Sequence, residues 1–106
     1  MAWVALAFAG FFEIVWAFAM KQSEGFTRPW PTAVMAVAML LSFGLLAWSM
    51  RTLPLGTAYT IWTGIGAVGA FLIGIMMLGE AANPLRIAAA GLILSGLLLM
   101  KFATPA

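Results

Sequence analysis

The chain has 106 residues, of which 65% are apolar and only 8% are charged, and its mean hydropathy is +1.11. Soluble domains contain roughly 45–50% apolar and about 25% charged residues. The composition therefore predicts an integral membrane protein. Because a helix needs about 20 residues to cross the hydrocarbon core, the length allows four crossings with short connections and leaves no room for a soluble domain.

The composition also excludes several classes of function. The sequence has no cysteine and no histidine, so it has no disulfide, thiolate nucleophile or imidazole base, and we expect no zinc or haem site. Its five cations and three carboxylates give a net charge of +2, which is too little for a nucleic-acid-binding surface. Because no nucleophile–base pair is present, we expect no enzymatic activity, cofactor or bound metal.

The few charges divide the chain into apolar segments, because a charge at mid-bilayer costs about 2.5–3.5 kcal/mol on the insertion scale. Lys21 and Gly25 end the first segment, and Thr27 with Pro29 is typical of a capped start to the second. We predict an all-α membrane protein with a single domain, 1–106, whose four transmembrane helices cover about residues 2–20, 30–50, 55–79 and 85–102.

The loop charges are nearly balanced between the two sides of the membrane. The side with loops one and three carries Lys21, Arg28 and Arg86, whereas the other side carries Arg51, the amino terminus and Lys101. Orientation is normally set by an excess of cations in short loops. The sequence therefore predicts insertion in both orientations.

Glu13 is the most informative residue, because it lies in the middle of the first span, about 10 Å from the nearer interface. A buried acid indicates function more often than interhelical hydrogen bonding, and such a carboxylate alternates between holding a proton and holding a cation. Gly10, Trp16 and Ala17 share its helical face. The small residues leave room for a ligand or a second helix, and Trp16 is either a donor to the carboxylate or lipid-facing bulk.

Two further helices carry polar and aromatic candidates. On the second, Ser42 adjoins a stripe of Met39 and Phe43 and either takes part in the site or bonds its own helix. On the third, Trp62 favours a polar site, whereas Tyr59 fits an aromatic belt slightly better.

Small residues suggest where helices pack. Gly64, Gly66 and Gly69 indicate close packing or a hinge in the third helix. The fourth helix presents an association face for a second copy, and Lys101 near its end fits a snorkelling anchor. The residues of that face are Gly91, Ser95 and Gly96.

Four thin helices with one central acid do not enclose an aqueous pathway, so we expect a site between two copies, each contributing Glu13. This arrangement indicates binding and transport. A cation channel or an accessory membrane subunit without coupling is the distant alternative, although a channel would need a polar stripe that the second helix lacks.

Four motifs are distributed along the chain: Gly10-x-x-Glu13-x-x-Trp16-Ala17, Gly25-Phe26-Thr27-Arg28, Leu53-Pro54-x-Gly56-Thr57-Ala58-Tyr59-x-Ile61-Trp62-Thr63-Gly64-Ile65-Gly66 and Gly79-Glu80. Through these motifs the whole chain resembles the small multidrug resistance family. Within that family, Trp16, the run from Trp62 to Ala67 and Lys101 resemble the guanidinium exporters, whereas the branch that exports quaternary ammonium usually has a small residue in place of Trp16.

The resemblance implies an antiparallel homodimer of eight helices in the bacterial inner membrane that exchanges protons for a guanidinium-type cation. Glu13 then matches the carboxylate shared by proton and substrate. A promiscuous exporter of quaternary ammonium compounds is the alternative, and Thr60 departs from the small apolar residue expected there. The resemblance assigns Trp16, Ser42, Tyr59 and Trp62 to the hydrogen-bonding surround, with Gly10 beside them, Lys101 to a polar position near the site, and Met39 and Phe43 to a wall for substrate tails.

Overall fold

The computed structural model describes residues 1–104 and contains four α-helices in that range. Each is long and apolar enough to cross a membrane, which confirms the predicted all-helical architecture of four spans. The helices are α1 (Ala2–Gln22), α2 (Pro29–Ser49), α3 (Leu55–Leu78) and α4 (Pro84–Ala103).

The first turn is organised by Ser23, which is fully buried. Its hydroxyl donates to the Met20 carbonyl at 2.7 Å and accepts from the Phe26 amide at 3.1 Å. The expected cap at Thr27 is wrong, because the Thr27 hydroxyl bonds back to carbonyl groups of the turn and Arg28 occupies the N-cap position without a side-chain cap. The turn satisfies its own polar groups, so α2 begins without help from Thr27.

Helices α3 and α4 are joined by a turn whose residues suit its geometry. Gly79 adopts the left-handed conformation with φ +69°, and the following Glu80 amide donates to the Gly74 carbonyl at 3.0 Å. This arrangement ends a helix with its last carbonyls satisfied. Asn83 then caps α4, its side chain accepting from the Arg86 amide at 2.9 Å.

The helices form a thin slab of 42 × 34 × 16 Å. Helix α1 packs along both α2 and α3, α4 packs on α3, and α2 touches α3 only slightly. The buried cluster lies where the first three helices meet, with Leu6 and Ala58 among its members, and α4 adds only Leu97. Most of α4 therefore remains uncovered within one subunit.

Candidate functional site

Glu13 lies half-buried on α1 with its carboxyl group against Gly66 of α3. The two helices approach so closely that a methyl group at position 66 would overlap the Glu13 carboxyl group. The Oε1 atom is buried and has no hydrogen-bond partner among the described residues. Gly66 thus provides the space that a mid-span acid needs.

Trp16 lies one turn further along α1, and its Nε1–H is also buried without a partner in residues 1–104. Its ring packs edge-on against Phe43 of α2, with centroids 6.3 Å apart. Trp16 therefore packs on α2 through its ring, while part of its surface stays exposed in one subunit. The expected donation to Glu13 is not made, so a donor and an acceptor on one helix face both remain unpaired.

Ser42 and Trp62 form a buried relay that ties three helices together. The Trp62 indole N–H donates to the Ser42 hydroxyl at 2.9 Å, and this hydroxyl donates to the Ala9 carbonyl of α1 at 2.7 Å. The alternative that Ser42 bonds its own helix is wrong. Within one subunit both donors are used by these bonds, which fix α1, α2 and α3 to one another. Their place in the hydrogen-bonding surround of Glu13 stays a prediction.

An aromatic row extends from α1 to α3 beside this relay. Phe43 contacts Trp16 on one side and Trp62 on the other, and Tyr59 stacks obliquely on Trp62 with centroids 5.5 Å apart. Tyr59 is half-exposed and lines a groove of about 570 Å³ between α3 and α4 together with Thr60. The aromatic row therefore joins the Glu13 helix to the groove that holds Thr60.

Met39 lies one turn before Phe43 on α2 and is half-buried, whereas Phe43 is exposed along one edge. The structure thus places Phe43 between two indole rings. The role of both side chains as a wall for substrate tails stays a prediction.

The glycines on α1 and α3 serve close helix contacts. A methyl group at Gly10 would lie 2.6 Å from Ile65, so Gly10 makes room for a second helix, as its small size predicts. Its place in the hydrogen-bonding surround stays a prediction. Gly64 faces Leu97 of α4, and Gly69 faces Ile14 of α1. Of the two alternatives for the α3 glycines, packing has the structural support.

Lys101 lies away from Glu13 within the subunit. Its ammonium group is 4.8 Å from the ring centroid of Trp3 and 5.8 Å from that of Phe102. Trp3 precedes Glu13 by ten residues of α1, which is about 15 Å of helical rise. The expected position near the site is therefore wrong for the same subunit, and the contacts fit an interfacial anchor.

The small residues of α4 form an uncovered face. Gly91 and Gly96 have no neighbour within 4 Å of where a methyl group would lie, and Ser95 is exposed with its hydroxyl on the Gly91 carbonyl at 2.8 Å. A face of small residues permits close approach of another helix. Its partner is not supplied by residues 1–104 of the same subunit.

Sequence reasoning missed one polar contact near the site and another where α3 begins and α4 ends. The Ala9 carbonyl accepts from Ser42, which residue type does not indicate because every residue carries such an acceptor. Thr57 and Thr104 pair their hydroxyls at 2.9 Å, joining the start of α3 to the end of α4. In the described chain, no cluster of three or more potential metal ligands accompanies them.

The family comparison agrees with a small protein of four membrane helices. A family model described as "Small Multidrug Resistance protein" matches residues 1–93, which include Glu13, the relay and the glycines of α3. The chain belongs to the small multidrug resistance family. It is therefore a multi-pass protein of the bacterial inner membrane.

Individual members of the small multidrug resistance family match over nearly the whole chain. Proteins named "Guanidinium exporter" from Escherichia coli strain K12, Citrobacter freundii and Salmonella typhimurium are each 50% identical to it over 104 residues. The matches cover 98% of this chain and 99% of each relative. The named relatives are transporters, and the likeness extends beyond the family match to the end of α4.

Proposed function

We propose that this protein is a proton-coupled antiporter that exports guanidinium and small substituted guanidines. Proton and substrate compete for the Glu13 carboxylates, which are paired across an antiparallel homodimer. The observation that carries the proposal is the buried, unpartnered Oε1 of Glu13 in the middle of a membrane-spanning helix. The guanidinium exporters that match the full chain support the choice of substrate.

A buried carboxylate oxygen without a donor is satisfied either by a bound proton or by a cation. No protein group among the described residues supplies that partner at Glu13. The carboxyl group is therefore free to exchange one positive charge for another. That exchange couples the movement of protons to the movement of a cation without any enzymatic step.

Guanidinium suits this site because it is planar and carries N–H donors around its edge, which pair with a carboxylate through two parallel bonds. Such pairing needs a carboxylate held in one orientation. The unpaired Trp16 indole N–H is available to a carboxylate on the same helix face or to one from a second copy. The Ser42–Trp62 relay fixes the surrounding helices to one another and so supports the site without donating to Glu13 within one subunit.

The proposed homodimer is supported by three features of one subunit. The slab is only 16 Å thick and leaves Glu13 half-buried, the small-residue face of α4 is uncovered, and the loop cations are nearly balanced. A second copy in the opposite orientation would cover the exposed side and complete a site with two carboxylates.

The test is uptake by purified protein in liposomes, with guanidinium compared with a tetraalkylammonium under an outward proton gradient. We expect gradient-driven accumulation of guanidinium, its loss in Glu13→Gln, and normal activity in Glu24→Gln, which removes an exposed loop acid. Accumulation of tetraalkylammonium alone would favour the quaternary-ammonium alternative. Guanidinium uptake at a rate that does not depend on the proton gradient would favour an uncoupled channel.

A further inference from the structure

Arg86, in the first turn of α4, places its guanidinium group against the turn between α3 and α4. The Arg86 Nη1 atom donates to the Ala81 carbonyl at 2.6 Å, and Nη2 lies 3.6 Å from Glu80 Oε1. The guanidinium carbon lies 5.1 Å from the ring centroid of Phe71. A carboxylate, a carbonyl and an aromatic face together provide the interactions that a guanidinium ion requires.

The Glu80 carboxyl group is held against a glycine, as Glu13 is. It lies against Gly74 so closely that a methyl group there would overlap it, just as one at Gly66 would overlap Glu13. The two glycines are eight residues apart on α3, which corresponds to about 12 Å of helical rise. Two carboxyl groups thus lie against glycines of helix α3, one in the middle of the membrane and one near its surface.

A groove of about 320 Å³ lies beside the Glu80 carboxylate, between α1, α3 and the start of α4. It extends from Glu80 and Arg86 to Ala17, one helical turn beyond Glu13 on α1. Small residues of α3, Ala67 and Ala70, line it between these ends. The groove therefore reaches from the Glu80 carboxylate to within one helical turn of Glu13, although Glu13 itself does not line it.

We propose that Glu80, the Ala81 carbonyl and the Phe71 ring form a second guanidinium site, through which substrate passes on its way to or from Glu13. In the empty protein, the Arg86 side chain occupies this site as a tethered substitute, and free guanidinium displaces it. This inference rests on the proposed function, because it takes guanidinium to be the substrate. In an antiparallel dimer, each face of the membrane would carry one such site.

Two features make the displacement feasible. The ion pair is long and both side chains are more than a third exposed, at 39% and 42%, and exposed ion pairs are weak. Lys21 also lines the groove, so two cations, Lys21 and Arg86, lie near the single carboxylate of Glu80. A guest cation pairs with the same carboxylate, and the displaced Arg86 side chain, which is already partly exposed, turns toward solvent.

The test uses variants that remove the two sides of the ion pair, in liposomes of phosphatidylethanolamine and phosphatidylglycerol with guanidinium well below half-saturation. We expect Glu80→Gln to lower the initial rate of uptake about threefold, because the site is lost. We expect Arg86→Ala to raise it about twofold to threefold, because the competitor is gone. At saturating guanidinium, both variants should approach the wild-type rate.

A purely structural ion pair predicts changes in the same direction for both variants, since each breaks the same contact. That result, or no change in Glu80→Gln, would overturn the proposal. A loss in Arg86→Ala that depends on phosphatidylglycerol content, with no loss in Glu80→Gln, would also overturn it and would assign the groove to an anionic lipid headgroup.

A binding measurement separates this proposal from the function on which it rests. In a Glu13→Gln background, calorimetry should detect weak guanidinium binding in the Arg86→Ala variant, and adding Glu80→Gln should abolish it. Absence of binding in both would overturn the second site. The proposed function stands if wild-type protein transports guanidinium and Glu13→Gln does not. If the Glu80 and Arg86 variants then change transport in the same direction, only the proposal of a second site is contradicted.

Discussion

The carboxyl group of Glu13 on α1 lies directly against the backbone of Gly66 on α3. The contact fixes where the acid can be, because the missing side chain of Gly66 is the space that the carboxyl group occupies. It also links the glycine-rich run of α3 to the chemistry of α1.

Gly66→Ala should displace the Glu13 carboxyl group and reduce guanidinium transport about tenfold or more, since a shift of about 1 Å at a binding group can have effects of that size. Folding should survive, because alanine favours a helix over glycine by up to about 1 kcal/mol and the obstructed group is the end of a flexible side chain. Gly44→Ala is the matched control, as no atom lies within 4 Å of its methyl position. Equal transport by both variants would contradict the contact.

The Ser42–Trp62 relay should show an asymmetry between its two members. Ser42→Ala leaves the buried Trp62 N–H without an acceptor and should destabilise the protein by about 1–3 kcal/mol. Trp62→Phe leaves the Ser42 bond to the Ala9 carbonyl intact, so the hydrogen-bond part of its cost should be nearer to about 0.6 kcal/mol, an average value for interhelical hydrogen bonds in membranes. The smaller ring adds a separate packing loss, because Trp62 is buried.

The free energy of unfolding in mixed detergent is measured for both single variants and for the double variant. In the double variant the unpaired donor is gone, so its loss of stability should be smaller than the sum of the single losses. Strict additivity would show that the relay is not a coupled unit.

Trp16 should govern selectivity between planar and bulky cations. Trp16→Gly should depress guanidinium transport while sparing or raising transport of a tetraalkylammonium, which has no N–H to donate and gains from apolar volume. Trp16→Phe separates the contribution of ring packing from that of the indole N–H, because it keeps a ring beside Phe43 and removes the unpaired N–H. Trp48→Gly, at an exposed position of α2, is the control. Equal losses for both cations in Trp16→Gly would make Trp16 a packing residue.

Insertion in both orientations should be real and sensitive to charge. Glu24→Cys places one thiol in exposed loop one of a chain that otherwise has none, and an impermeant reagent should label it from both sides of the membrane. Adding Gln22→Lys and Ala82→Lys, which lie on the side of loops one and three, should confine the label to the cytoplasmic side. Labelling of the parent variant from one side only would contradict the antiparallel arrangement.

The spans could be predicted from the sequence because the charges and prolines are so few that they mark the ends of the helices. The first turn could not, since Glu24 and Phe26 adopt positive φ values of 50° and 70° that their residue types do not favour. Their conformation is imposed by the buried Ser23, whose hydrogen bonds close the turn.

The central acid was also identifiable, because Glu13 stands alone in an apolar span. Its surroundings were not, since helices that are apolar on every side give little indication of which face meets which neighbour. The contact with Gly66, the acceptor of Ser42 and the distance of Lys101 from Glu13 all depend on how α1 is rotated against α2, α3 and α4. The structure corrects the sequence analysis at these points.

The central claim is that one carboxyl group exchanges a proton for guanidinium, and luminal pH tests it most directly. Proteoliposomes that contain a pH-sensitive dye and equal pH on both sides receive external guanidinium. We predict that wild-type and Glu24→Gln protein raise the luminal pH as guanidinium enters and protons leave, and that Glu13→Gln leaves it unchanged. Proton movement driven by guanidinium in Glu13→Gln, or guanidinium uptake by the wild type without proton movement, would contradict the account.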